Sequence, residues 1–170
     1  MTERKLLISG LTLGYEGLFD SPDLFKFIDD WFKTHGYDKN EIKNIEKITE
    51  KGKQIQIEEM PFREINDYTK FEIYVKIRIA NLVETKIKRQ GKEFKINKGD
   101  ISISIDCFLA TDIRHRWEGH PFRFFLRTIF TRFINREYIR AYEQRLVEDV
   151  QNFHNELKSY LNLNRYTEQA

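Results

Sequence analysis

KFEIYVKIRIANLVETKIK, residues 70–88, alternates apolar and polar side chains over a length that only a strand explains. Phe71, Ile73, Val75, Ile77 and Ile79 occupy one side of a two-residue repeat, with Lys70, Glu72, Tyr74, Lys76 and Arg78 on the other. Such a stretch requires a sheet that is buried on one face and wet on the other, which is the habit of antiparallel sheets. By simple alternation Val83 and Ile87 continue on the buried side.

Downstream, Gln90-Gly91 reads as a turn, Phe94 and Ile96 as a short strand, and Lys98-Gly99-Asp100 as a second turn. Ile101, Ile103, Ile105, Cys107 and Leu109 then alternate with Ser102, Ser104 and Asp106. Connections this short join antiparallel neighbours. Cys107 is the only cysteine, so neither an internal disulfide nor a thiolate cluster can form, and its place among the isoleucines reads as a buried structural thiol.

Upstream, Leu6, Ile8, Leu11 and Leu13 predict a strand bent at Gly10. A helix follows over 22–34, with Ser21 as the candidate N-cap, Pro22 at the first position and Gly36 just past the end. Leu24, Phe25, Ile28, Trp31 and Phe32 make its core-facing side. Residues 41–49 carry Ile42, Ile45 and Ile48 three apart, which suits a helical turn, but pairing across a Lys51-Gly52 tip with 53–60 favours a strand. Pro61 ends that element. From Pro121 nearly to the end the chain reads helical, and Ile139, Tyr142, Leu146, Val150, Phe153, Leu157 and Tyr160 form one apolar stripe. That stripe fits a helix lying on the core, or a seam with a second copy.

The expected fold is α+β: an antiparallel sheet of five to six strands carrying one N-terminal helix and a long C-terminal helix. A length of 170 residues suits a single domain, 1–170, with 166–170 a frayed tail. With 40% hydrophobic and 33% charged residues the chain is neither disordered nor able to span a bilayer, so no transmembrane segment is expected. No secretory signal pattern opens it, and a cytoplasmic location is the expectation.

The order strand, helix, antiparallel sheet, long C-terminal helix resembles the helix-grip, or START-like, architecture, although the chain shows one N-terminal helix where that family usually has a pair. The resemblance implies an apolar ligand between sheet and helix, with Phe71, Ile73, Val75, Ile103, Ile105, Tyr142 and Leu146 as cavity lining.

Basic residues are segregated by type. Between Gly99 and Leu157 there is no lysine, and all eight basic residues are arginines. Arginine's planar fork suits bidentate contacts to phosphate or carboxylate and stacking on aromatic rings, so the pattern points to contacts rather than solvation. Arg140 and Arg145 have acids at helical spacing: Glu137 and Glu143, Glu148 and Asp149. Arg123, Arg127, Arg132 and Arg136 have none at three or four residues in either direction. The accompanying apolar face, Phe122, Phe125, Leu126, Ile129, Phe130 and Phe133, lies about 140° around the helix from the stripe that begins at Ile139.

No catalytic motif is present, and Asp29-Asp30 and Glu58-Glu59 are adjacent acids that point different ways, so an enzyme is not expected. His115, Glu118 and His120 lack the spacing and number of a metal site, and no cofactor is implied. The leading expectation is a non-catalytic binding protein that contacts RNA or a ribonucleoprotein through Arg114, Arg116, Trp117, Arg123, Phe124, Arg127, Arg132 and Arg136. The alternatives are a helix-grip carrier of an apolar small molecule, and a homodimer that buries the 122–133 aromatic face with the arginines reaching Asp20, Asp29 or Asp30 of the other copy.

Overall fold

A computed structural model describes residues 3–89, 91–111 and 136–166, with side chains except at 89, 136 and 164–166. It is an α+β structure: β1 (Glu3–Phe19), α1 (Ser21–Thr34), β2 (Glu41–Thr49), β3 (Gly52–Glu59), β4 (Phe62–Glu64), β5 (Thr69–Arg89), β6 (Lys92–Thr111) and α2 (Arg136–Tyr166). The six strands form one antiparallel sheet in the order β1-β6-β5-β3-β2, and short β4 pairs with the start of β5. Residues 41–49 are a strand, paired with β3 across the 51–52 tip.

The two-residue repeat decides which face is buried. Phe71, Ile73, Val75, Ile77 and Ile79 of β5 are almost fully buried, as are Ile101, Ile103, Ile105, Cys107 and Leu109 of β6. Against this face α2 lays Leu146, Val150, Phe153, Leu157 and Leu161, each worth about 1.5–3 kcal/mol of hydrophobic stabilisation on burial. Its stripe therefore faces the core of its own chain. α1 then packs on α2 through rings: Phe153 lies 4.8 Å from Trp31 and 4.7 Å from Phe32, and Phe27 stacks on Tyr160 at 4.7 Å.

α1 shows how local chemistry sets its ends. Its N-cap is Asp20 rather than Ser21: the Asp20 carboxylate accepts from the Asp23 amide at 3.0 Å, a stronger charge-assisted bond than a serine hydroxyl makes. Ser21 instead donates its hydroxyl to Asn97 Oδ1 at 3.0 Å, tying the helix start to β6. At the other end Gly36 takes φ +75°, which lets Gly36 N–H reach Lys33 O and Tyr37 N–H reach Phe32 O, a Schellman arrangement.

Two sequence expectations fail at one place. Val83 and Ile87 do not stay on the buried side, and Lys98-Gly99-Asp100 is not a turn. β5 carries one extra residue between Ala80 and Val83, with Asn81 at φ 55°, while β6 runs unbroken from Lys92 to Thr111. The bulge inverts the alternation, so Leu82 turns into the core and Val83 is left 42% exposed. Gly99 faces the bulge: a Cβ there would stand 3.0 Å from Ala80 O and 3.3 Å from Leu82 Cα, so a glycine that looks like turn chemistry instead makes room for a neighbouring backbone.

Beyond the bulge the sheet narrows to two strands. β3 follows β5 only as far as Leu82, and β1 follows β6 only back to Asn97. Thr85↔Ile96, Lys86↔Lys95, Ile87↔Phe94, Lys88↔Glu93 and Arg89↔Lys92 continue as a ribbon about 17 Å long at about 3.4 Å per residue.

Candidate functional site

The described residues that flank 114–136 lie at one end of the sheet. Arg114, Arg116, Trp117, Arg123, Phe124, Arg127 and Arg132 lie outside the described residues, as do His115, Glu118, His120 and the 122–133 aromatic face. Arg136 opens α2, but its side chain is outside them too. Thr111 pairs with both Glu3 and Thr69. The first turns of α2 meet the same end, where Tyr142 packs edge-on against Phe71 at 6.3 Å and Lys5 bonds Glu143 at 2.7 Å.

Three carboxylates near that end hold cations. Glu72, buried on the outer face, lies 2.7 Å from Lys70 Nζ; Arg4 donates Nη2–H to its Oε1 at 3.3 Å, and Arg4 Nε stands 2.9 Å from its Oε2. Glu143 is held by Lys5, and Asp149 accepts from Arg63 Nη2 at 2.9 Å. The expected pairings of Glu143 with Arg140 and of Asp149 with Arg145 give way to these long-range ones, because the core-facing stripe turns both acids toward the sheet rather than along the helix.

Around Asp149 the fold builds a cluster that no sequence spacing announces. Tyr37 donates its phenolic proton to Asp149 Oδ2 at 2.9 Å, and Arg63 also donates Nη1–H to His35 O at 2.6 Å. The guanidinium lies over the rings of Tyr37 and Phe71, 4.7 and 5.2 Å from their centroids. Burial and the adjacent Asp149 charge hold the Tyr37 phenol far above its ordinary range. Such a phenol stays protonated near neutrality, and the cluster is a clamp joining the end of α1, β4 and α2.

The adjacent acids point apart, as alternation requires. On the outer face Glu58 accepts from Tyr74 Oη at 2.5 Å and Gln56 Nε2 at 2.6 Å, with Lys76 Nζ at 3.3 Å. On the inner face Glu59 is 6% exposed and burial raises its carboxyl, while Lys39 Nζ at 3.2 Å opposes that shift. Burial pulls the Lys39 ammonium down, but its bonds to Asp29 at 2.9 Å and to Glu59 outweigh this and hold it up. Glu59 and Lys39 line a cleft of about 240 Å3 between α1 and β2–β3, floored by Phe25, Ile28, Ile57 and Ile77. Among the described residues no group of three or more His, Cys, Asp or Glu side chains is placed to hold a metal ion.

The residues implied as cavity lining are core. Phe71, Ile73, Val75, Ile103, Ile105 and Leu146 have zero exposure, and Tyr142 is half-buried beside them. They belong to one contiguous apolar cluster, and none lines the 240 Å3 cleft or the larger one of about 510 Å3 at the start of α1.

No family model, curated protein or solved structure matches this chain. No helix among the described residues is long and apolar enough to cross a membrane.

Proposed function

We propose that this is a non-catalytic cytoplasmic binding protein of helix-grip-like architecture, and that its Arg/aromatic segment 114–136 contacts RNA or a ribonucleoprotein. One observation carries the reading. Arg123, Arg127, Arg132 and Arg136 have no acid at helical spacing, and Glu72, Glu143 and Asp149, near the described residues that flank the segment, already hold cations of their own. Phosphates answer four guanidiniums at once, and Trp117 and Phe124 supply faces on which unpaired bases stack. The polar clusters of the framework support a binding role over a catalytic one, since their charges satisfy each other. The filled space beneath α2 weighs against an apolar cargo.

Fluorescence anisotropy with a mixed-sequence single-stranded RNA, run across a salt series, tests this. For single strands log K falls with log salt by about 0.7 per phosphate neutralised, so neutralising about four of them gives a slope near −3. Affinity indifferent to salt, or unchanged after R123Q/R127Q/R132Q/R136Q, would remove the reading.

A further inference from the structure

The two faces of the β5–β6 ribbon differ in charge. Alternation from Val83 onward is unbroken, so the register assigns each side chain a face. Glu84, Lys86, Lys88, Glu93, Lys95 and Asn97 share one, and its charges are answered within it: Lys95 holds Glu84 at 2.9 Å, and Glu93 lies 3.6 Å from Lys86 and 4.0 Å from Lys88. Asn97 on this face bonds Ser21, so it looks toward α1. The opposite face carries Val83, Thr85, Ile87, Lys92, Phe94, Ile96 and Lys98, with Arg89 in register beside Lys92, and has no acid. Phe94 is 49% exposed there, in the middle of the ribbon.

Stability does not account for this face. A two-stranded ribbon gains little by presenting an aromatic ring to water, and the bulge after Ala80 is what turned these apolar residues outward. An exposed ring on a strand, with cations on its own face and no acid there between residues 83 and 98, is what a strand of nucleic acid needs: a platform for one base and charges for the adjoining phosphates. From Val83 to Lys98 the ribbon has six basic residues against two acids, an excess of four where the whole chain has a net charge of only +2. The tip also stands at the far end of the long hairpin from Thr111, the last described residue before the arginine segment.

We propose that the acid-free face of the ribbon is a second RNA-binding surface, with Phe94 stacking on a base and Lys92 and Lys98 neutralising phosphates. This rests on the RNA reading above and adds a surface separate from residues 114–136. The same anisotropy titration tests it with F94A, K92Q/K98Q and, as a control on the opposite face, K86Q. Phe94 and the lysines are exposed on the ribbon, and circular dichroism confirms that each variant folds. The expected result is a drop of roughly 5- to 150-fold in affinity for F94A. K92Q/K98Q should flatten the salt slope by about 0.7 for each phosphate no longer neutralised, and K86Q should change neither affinity nor slope. If F94A and K92Q/K98Q bind as the parent does while R123Q/R127Q/R132Q/R136Q no longer binds, the ribbon proposal fails and the first reading stands. The reverse pattern sinks the first reading and keeps the ribbon. Binding of the parent to anionic phospholipid vesicles in place of RNA, abolished by F94A, would overturn both in favour of a membrane surface.

Discussion

Tyr37 and Asp149 are 112 residues apart in sequence, and the phenol of one donates to the carboxylate of the other at 2.9 Å. That bond, with Arg63 on the same oxygen, joins the turn after α1 to the middle of α2. Tyr37→Phe should cost about 1.5–3 kcal/mol, the range for a hydrogen bond to a charged group. Asp149→Ala should cost about 3 kcal/mol or more, because it strands a largely buried guanidinium. Urea denaturation reads both. An Asp149→Ala variant destabilised by under about 1 kcal/mol would show that the cluster is ornamental.

Phe153 is the point where α2 meets both Trp31 and Phe32, and it has no exposure. Phe153→Ala should destabilise by about 3–5 kcal/mol through reduced burial and the cavity left behind. Tyr138, on the same helix but 64% exposed, should tolerate alanine within about 0.5 kcal/mol. Comparable destabilisation at the two positions would contradict the placement of the helix.

Glu58 predicts a pH dependence with a definite sign. The bond from Tyr74, then those from Gln56 and Lys76, holds its carboxyl down to about 2 from an ordinary 4.5. The native pKa is below the unfolded one, so the unfolded state binds more protons between them. Stability from this group is complete above about pH 4.5 and drains away as pH falls through about 2. Tyr74→Phe removes the largest cause and should move the Glu58 midpoint up toward 4.5. Carbon-13 titration of the Glu58 carboxyl checks this, and a wild-type midpoint near 4.5 would refute it.

Cys107 is wholly buried between Ile105 and Leu109, and burial pushes its thiol up to about 11. The thiolate fraction at pH 8 should therefore be about 100-fold below that of an unperturbed cysteine, with the reagent's approach blocked as well. Iodoacetamide labelling should be at least that much slower in the native protein than in denaturant. Equal rates would mean that the sheet opens far more readily than its packing implies.

Much of this fold is legible in residue order, and the exceptions share a cause. Alternation in β5 and β6, the helix starting around Pro22 and closing at Gly36, and the stripe from Leu146 to Leu157 all follow from short-range periodicity, and all appear in the structure. Val83 departs from its expected side because one bulge inverts every later side chain, and the bulge shows only when β5 is set against β6. Gly99 departs from the expected turn because a glycine that yields room to a neighbouring strand looks the same in sequence as one that turns. Of the candidate site, the arginine excess is visible in sequence. The acid-free ribbon face is not, because its membership depends on that same inversion.

By itself the order of residues determined the elements and the side of each that seeks cover, since hydrophobic periodicity and helix-end chemistry act over a few residues. Only the tertiary structure decided which distant charges answer one another. Asp149 could have served Arg145 one turn away, but it joins Tyr37 and Arg63, because burial strengthens charged contacts and the fold alone determines which of them are buried.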